Sequence, residues 1–166
     1  MTAQRRIGFV YNQRVPMAID LVKRLIERLD LGDGVWVRST GDLEQASDGD
    51  SGVELLITVG GDGTILRAAH FAAPHGIPIL GINMGRLGFM TELRASEALT
   101  SIATYMGDEA RVEGRAMIQA RILRPTDGEG EANSLSPSHA LNDVVVGSGG
   151  GSRMVSIEVA VDGARL

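Results

Sequence analysis

The chain has 166 residues, a formal net charge of −5 and a sequence pI near 5.2, which argues against a nucleic-acid surface as its main business. Hydrophobic residues make up 43% of it but aromatic ones only 4%, so the core of a domain this size must be mostly aliphatic. The absence of cysteine excludes a disulfide framework or thiolate metal site, and a polar amino terminus with no apolar run near ~18 residues predicts a cytoplasmic protein without a membrane span.

Arg6-Ile7-Gly8-Phe9-Val10-Tyr11 reads as a first strand, followed by a turn over 12–16 with Pro16 opening a helix, where its missing N–H is tolerated. In that helix Ala18, Leu21, Val22, Leu25 and Leu29 recur at helical spacing, opposite Lys23, Arg24, Glu27 and Arg28. Gly32-Asp33-Gly34 stops it, and Val35-Trp36-Val37 is a short second strand. Val53-Glu54-Leu55-Leu56-Ile57-Thr58-Val59 is apolar or β-branched almost throughout, as suits a strand buried on both faces of a parallel sheet. It runs through Gly60-Gly61-Asp62-Gly63-Thr64 into a helix with an apolar stripe expected along Leu66, Ala69 and Ala73, ended by Pro74 and Gly76. Residues 77–82 form another strand, with Pro78 among its first positions. A helix over 96–106 follows, with Leu99, Ile102, Ala103 and Met106 on one face and Ser96 as its cap.

Strands alternating with helical patterns predict an α/β fold, an open and mostly parallel sheet flanked by helices. After Gly107 the character changes. Residues 115–123, 140–146 and 155–161 read as strands, separated by a solvated loop over 125–138 and a glycine-rich connector over 147–152. The expected organisation is an α/β domain over 1–110 and the beginning of a β-rich (β-sandwich) second domain over 111–166. Asp162-Gly163 is a hairpin signal, but only Ala164-Arg165-Leu166 follow. So short a return strand is expected not to pair, which reads the chain as an amino-terminal piece of something longer, the alternative being a short natural tail after the turn.

Ligands of parallel α/β sheets lie at the carboxyl ends of the strands, which singles out two loops, Gly60-Gly61-Asp62-Gly63-Thr64 and Asn83-Met84-Gly85-Arg86-Leu87-Gly88-Phe89-Met90. A strand that turns through glycines into a helix presents bare N–H groups and a positive helix end, an arrangement that attracts phosphate. Asp62 is the odd member of that turn: either it caps the helix or it is there for chemistry. No Gly-Lys-Ser/Thr follows, so this is not a Walker loop, and the dinucleotide fingerprint Gly-x-Gly-x-x-Gly is also missing. A carboxylate on an anion-binding turn could orient or deprotonate a hydroxyl that attacks a phosphoryl group. Arg67, one helical turn beyond Gly63, is either a phosphate contact or a solvated surface cation. Asn142 and Asp143 interrupt an apolar strand; one of them must face inward and find a partner, unless the strand is an edge or carries a bulge. His70, His75 and His139 lack ligand spacing and are not read as metal ligands. Spacing alone leads to a phosphate- or nucleotide-handling α/β domain.

Gly60-Gly61-Asp62-Gly63-Thr64 resembles the signature shared by NAD kinases, diacylglycerol and sphingosine kinases and, more loosely, phosphofructokinases. Gly81-Ile82-Asn83-Met84-Gly85-Arg86-Leu87-Gly88-Phe89-Met90-Thr91 is similar to the segment after the next strand in NAD kinases. Leu141-Asn142-Asp143-Val144-Val145 is similar to that family's Asn-Glu motif, with Asp in place of Glu. The three stand in the family's order, and the resemblance runs from Ile7 to the end of the chain. It implies ATP-dependent phosphorylation of the 2′-hydroxyl of the adenosine ribose of NAD, giving NADP, with Asp62 as general base. It further implies that Asp62 and Gly63 line the NAD site, that Asn142 and Asp143 contact the adenosine part, and that Arg67 and Arg153 touch the dinucleotide. Mg²⁺ or a similar divalent cation would accompany the donor, ATP or polyphosphate. The resemblance also implies a homodimer or tetramer, while the acidic balance and the lack of a membrane-binding helix predict no nucleic-acid or membrane partner. In the family the second domain supplies part of the NAD site. Its glycine- and threonine-rich motif is missing from these residues, which alone are expected to have little or no activity. The rival readings are a lipid kinase and a non-catalytic dinucleotide-sensing module.

Overall fold

The computed structural model of the protein describes residues 6–32, 35–43, 52–85, 88–107, 110–124, 133–134, 137–147 and 156–165. The chain divides into two compact units, Met1–Ala116 and Met117–Leu166.

The first unit is built from β1 (Ile7–Tyr11), α1 (Pro16–Arg28), β2 (Trp36–Ser39), β3 (Leu55–Gly60), α2 (Asp62–Ala72), β4 (Ile79–Asn83), β5 (Leu93–Arg94) and α3 (Ala95–Ser101). Its five-stranded sheet has the order β2-β1-β3-β4-β5 and every pairing is parallel, the architecture that strands alternating with helices predicted. The centre is β3, paired with β1 through Ile7↔Leu55 to Tyr11↔Val59 and with β4 through Leu56↔Ile79 to Gly60↔Asn83.

Successive side chains of a strand point to opposite faces, and the core divides accordingly. Phe9, Leu55, Ile57, Val59 and Ile82 pack with Ala18, Leu21, Val22 and Leu25 of α1 and with Ala98 and Ile102. Val10 and Leu56 pack on the other face with Ala68 and Ala72 of α2. Fully burying an aliphatic side chain of this kind contributes about 1.5–3 kcal/mol relative to leaving it in water. Parallel strands are stable here because each face has a helix to cover it.

Pro16 stands at the first position of α1, as expected. Gly76 closes the turn after α2 in the left-handed region at φ 63°. The buried stripe of α2 differs from the expected one: it runs through Ile65, Ala68, Ala69 and Ala72, while Leu66 is half-buried and Ala73 exposed. The phase of this helix is set by its first turn, where the buried Thr64 faces the sheet; the pattern of apolar residues is compatible with more than one phase. Ser96 does not cap α3, which starts one residue earlier with Arg94 as its cap residue. That residue already belongs to β5, an edge strand of two residues too short to show a period. Beyond Ser101 the helix tightens into a 3₁₀ turn over Ile102–Tyr105.

The second unit is antiparallel. β6 (Ile118–Ala120) pairs with β9 (Ser138–Ala140), β7 (Leu123–Arg124) with β8 (Asn133–Ser134), and β10 (Ala160–Val161) with β11 (Ala164–Arg165). The strand expected over 140–146 ends at Ala140, and Leu141 and Asn142 form a bend. The final hairpin does pair, through Val161↔Ala164 and Ala160↔Arg165, contrary to expectation. Asp162 at φ 52° and Gly163 at φ 83° supply two consecutive left-handed residues, the geometry of a tight turn that lets two return residues register. No helix among the described residues is long and apolar enough to cross a membrane.

Candidate functional site

In the first unit β2 lies to one side of β1, whereas β3, β4 and β5 extend to the other. Loops that leave the carboxyl ends of β1 and β3 therefore diverge and open a crevice. On one side of it the Asn12 N–H donates to the Val59 carbonyl at 2.9 Å, and Asn12 Oδ1 accepts the Arg14 N–H at 3.0 Å. On the other is the glycine turn. A Cβ at Gly60 would lie 3.1 Å from Asn12 Cβ and would collide with Thr64 Oγ1; only a bare Cα fits between those two side chains.

Thr64 closes the turn on itself. Its N–H donates to the Gly61 carbonyl at 2.8 Å, and the Gly61 N–H donates to Thr64 Oγ1 at 3.3 Å. Gly61 and Gly63 differ from Gly60, because a Cβ at either would meet nothing within 4 Å. Gly61 is also extended, at φ −139° and ψ −169°, a conformation open to any residue. Neither packing nor backbone geometry demands glycine at these two positions. What their bareness leaves is unobstructed main chain at the amino end of α2, where free N–H groups and the helix dipole favour an anion.

Asp62 is the first residue of α2, with Gly61 as the cap residue. Its carboxylate turns to the second loop: Oδ2 accepts the Phe89 N–H at 3.1 Å and Oδ1 the Met90 N–H at 3.2 Å. A Cβ at Gly88 would overlap this carboxylate, 2.6 Å from Oδ2, so glycine there leaves the room it occupies. The choice between helix cap and chemistry thus gains a third term, since Asp62 ties together the two loops that the sequence singled out. The Met84 N–H, donating to the Gly60 carbonyl at 2.7 Å, ties them a second time. Below this junction sit two buried polar side chains, Asn83 and Thr91, bonded to each other at 3.1 Å. Sequence reasoning placed Asn83 in a suspect loop and gave Thr91 no role. The available signal was an Asn and a Thr bracketing a glycine-bearing loop, both short polar residues able to satisfy loop amides.

Arg67 is exposed on α2 four residues after the exposed Gly63, a spacing that puts both on one flank of the helix. Asn142 and Asp143 belong to the second unit and are both exposed. Neither faces inward, because the strand on which that inference depended stops at Ala140. Arg153 and Arg86 lie outside the described residues. The structure therefore brings together Asp62, Gly63 and Arg67, and joins to them Asn83, Gly88 and Thr91. Among the described residues no group of three or more His, Asp or Glu side chains is placed to hold a metal ion.

The family model of the ATP-NAD kinase N-terminal domain matches residues 37–110. The chain is 36% identical to an NAD kinase of Heliobacterium modesticaldum over 93% of its own length and 56% of that protein. With an NAD kinase of Moorella thermoacetica it shares 35% identity over 98% of its length and 52% of that protein. It thus spans about half the length of the curated relatives it matches. Among solved structures, the crystal structure of yeast NADH kinase complexed with NADH superposes with a TM-score of 0.61 at 19% identity, over 85% of this chain and 48% of that one. At that identity the likeness is one of fold.

Proposed function

The chain is a relative of the NAD kinases and carries their ATP-NAD kinase N-terminal domain over residues 37–110, and on that premise we propose that it serves to make NADP by transferring the γ-phosphoryl group of ATP to the 2′-hydroxyl of the adenosine ribose of NAD. The observation that carries the reading is the Asp62 carboxylate, held by two main-chain N–H groups beside the open Gly61 and Gly63 backbone. Asp62 accepts the proton of the 2′-hydroxyl as that oxygen bonds to the γ-phosphorus, and the bond from phosphorus to the β-bridging oxygen breaks to release ADP. Phosphoryl transfer needs little beyond position and charge neutralisation. The bare N–H groups of the turn and Arg67 answer the second need, as anion contacts near the same mouth.

Gly63 lines the NAD site with Asp62 in this reading, and Asn142, Asp143 and Arg153 are dinucleotide contacts carried over from the resemblance. Asp143 is one methylene shorter than the Glu usual in the family, which shortens its reach to the ribose. A divalent cation such as Mg²⁺, when bound, would supply charge neutralisation at the transferring phosphates. The described residues offer it no cage, and this ion commonly keeps its waters and is held largely by substrate phosphates, so it is taken to arrive with ATP. Cytoplasmic location and a homo-oligomeric state belong to the same proposal.

The test is to incubate the natural full-length protein with NAD, ATP and Mg²⁺ and to read NADP through an NADP-specific dehydrogenase. NADP formation is expected, and Asp62→Asn should lower turnover by about 10²–10⁴-fold. No NADP from wild type would overturn the assignment, whereas near-normal turnover by Asp62→Asn would remove only the base.

A further inference from the structure

We propose that Asn83 and Thr91 are positioning residues that set the direction of the Asp62 carboxylate without themselves touching substrate. The inference rests on the reading of Asp62 as the base. Asn83 is 4% exposed and Thr91 8%, so neither side chain has solvent as an alternative partner, and each must be satisfied within the fold. Asn83 ends β4 in register with Gly60 of β3, which anchors it to the strand that carries the glycine turn. Its Nδ2 donates to Thr91 Oγ1 at 3.1 Å and its Oδ1 accepts the Gly85 N–H at 2.7 Å. A hydroxyl oxygen has two lone pairs, and Thr91 Oγ1 gives the second to the Gly88 N–H at 3.2 Å. With Gly88 fixed, the next two amides, Phe89 and Met90, point back to Asp62, one to each carboxylate oxygen at 3.1 and 3.2 Å.

Thr91 is itself pinned by main chain. A Cβ at Gly81 of β4 would lie 3.1 Å from Thr91 Cα, and the Glu92 N–H donates to the Gly81 carbonyl at 2.9 Å. Contacts therefore run from a buried strand to the carboxylate with no solvated link in the side-chain pair. Phe89, by contrast, is 98% exposed; its side chain has no packing with which to hold its own amide in place. One N–H on each oxygen defines the plane of the carboxylate while leaving each oxygen capacity for another hydrogen bond. A substrate hydroxyl can then be accepted without surrendering the loop. A general base works only within hydrogen-bond reach and at the right angle, which makes the orientation of Asp62 a property of residues that never meet the substrate.

Thr91→Val keeps the shape and removes the oxygen that accepts both bonds. In the full-length protein, hydrogen exchange at the Phe89 and Met90 amides should accelerate by about tenfold or more, with β3 amides unchanged. The ¹³Cγ resonance of Asp62 should move, and Thr91→Ser should restore both signals; Thr91→Ala replaces the valine variant if that one does not fold. With NAD and ATP, kcat should fall about 10–100-fold with little change in KM for NAD, and adding Thr91→Val to Asp62→Asn should lose nothing more. Wild-type exchange at both amides together with an unmoved Asp62 resonance in Thr91→Val would overturn the proposal, as would failure of Thr91→Ser to rescue. Turnover retained by Asp62→Asn would remove the base assignment alone, because amide exchange is read without turnover.

Discussion

In the first unit β3 buries all six of its residues, whereas in the second Ile122, Leu123, Val145 and Val146 are 62%, 65%, 86% and 73% exposed. Both regions are rich in β-branched and aliphatic residues, so composition does not explain the contrast. Connectivity does. Parallel strands cannot be joined by a tight turn and need a crossover, and the crossover helix folds back to cover the sheet. α1 and α2 are such crossovers, and with α3 they bury both faces of the sheet. The antiparallel strands of the second unit are two or three residues long and pair only as two-stranded ribbons among the described residues. A ribbon of that size brings no cover of its own and is marginal alone. An apolar strand pattern is therefore a demand for a partner layer, and among the described residues only those of the first unit answer it internally.

Three substitutions test that contrast, in order of decreasing effect. Ile57→Ala, at a fully buried position of β3, should cost about 2–5 kcal/mol by urea unfolding of the first unit; a loss below about 1 kcal/mol would mean that the core is looser than its burial indicates. Gly88→Ala places a methyl group where the Asp62 carboxylate sits and should cost about 1–3 kcal/mol as that carboxylate leaves its two N–H donors. Its signature is a change confined to amide resonances of the two site loops, and a silent spectrum would show that the junction adapts without breaking. Val145→Ser, on the exposed stretch of the second unit, should change stability by less than about 0.5 kcal/mol. A larger loss would reveal that this surface is covered in solution and would erase the difference between the units.

Much of the first unit could be read directly. The apolar run ending at Gly60, the glycine turn and the helical spacing of Ala18, Leu21, Val22 and Leu25 are short-range patterns, and each formed the element it predicted. The misreadings share a cause. The phase of α2, the cap of α3 and the end of β9 depend on neighbours distant in sequence or on strands too short to carry a period. The site divides along the same line. Asp62 as the carboxylate of a glycine turn was visible from five consecutive residues. Its engagement with Phe89 and Met90, separated by 27 and 28 positions, was not.

By itself, then, the sequence determined which residues alternate, where the chain turns through bare glycine and which carboxylate stands in that turn, because all three are set by the period of the local backbone. Tertiary structure alone decided what the carboxylate holds. The parallel pairing of β3 with β4 ends at Gly60↔Asn83 and brings two loop mouths side by side. From there the hydrogen bonds of Asn83, Thr91 and Asp62 follow, because buried polar groups must be satisfied by whatever the sheet places within reach.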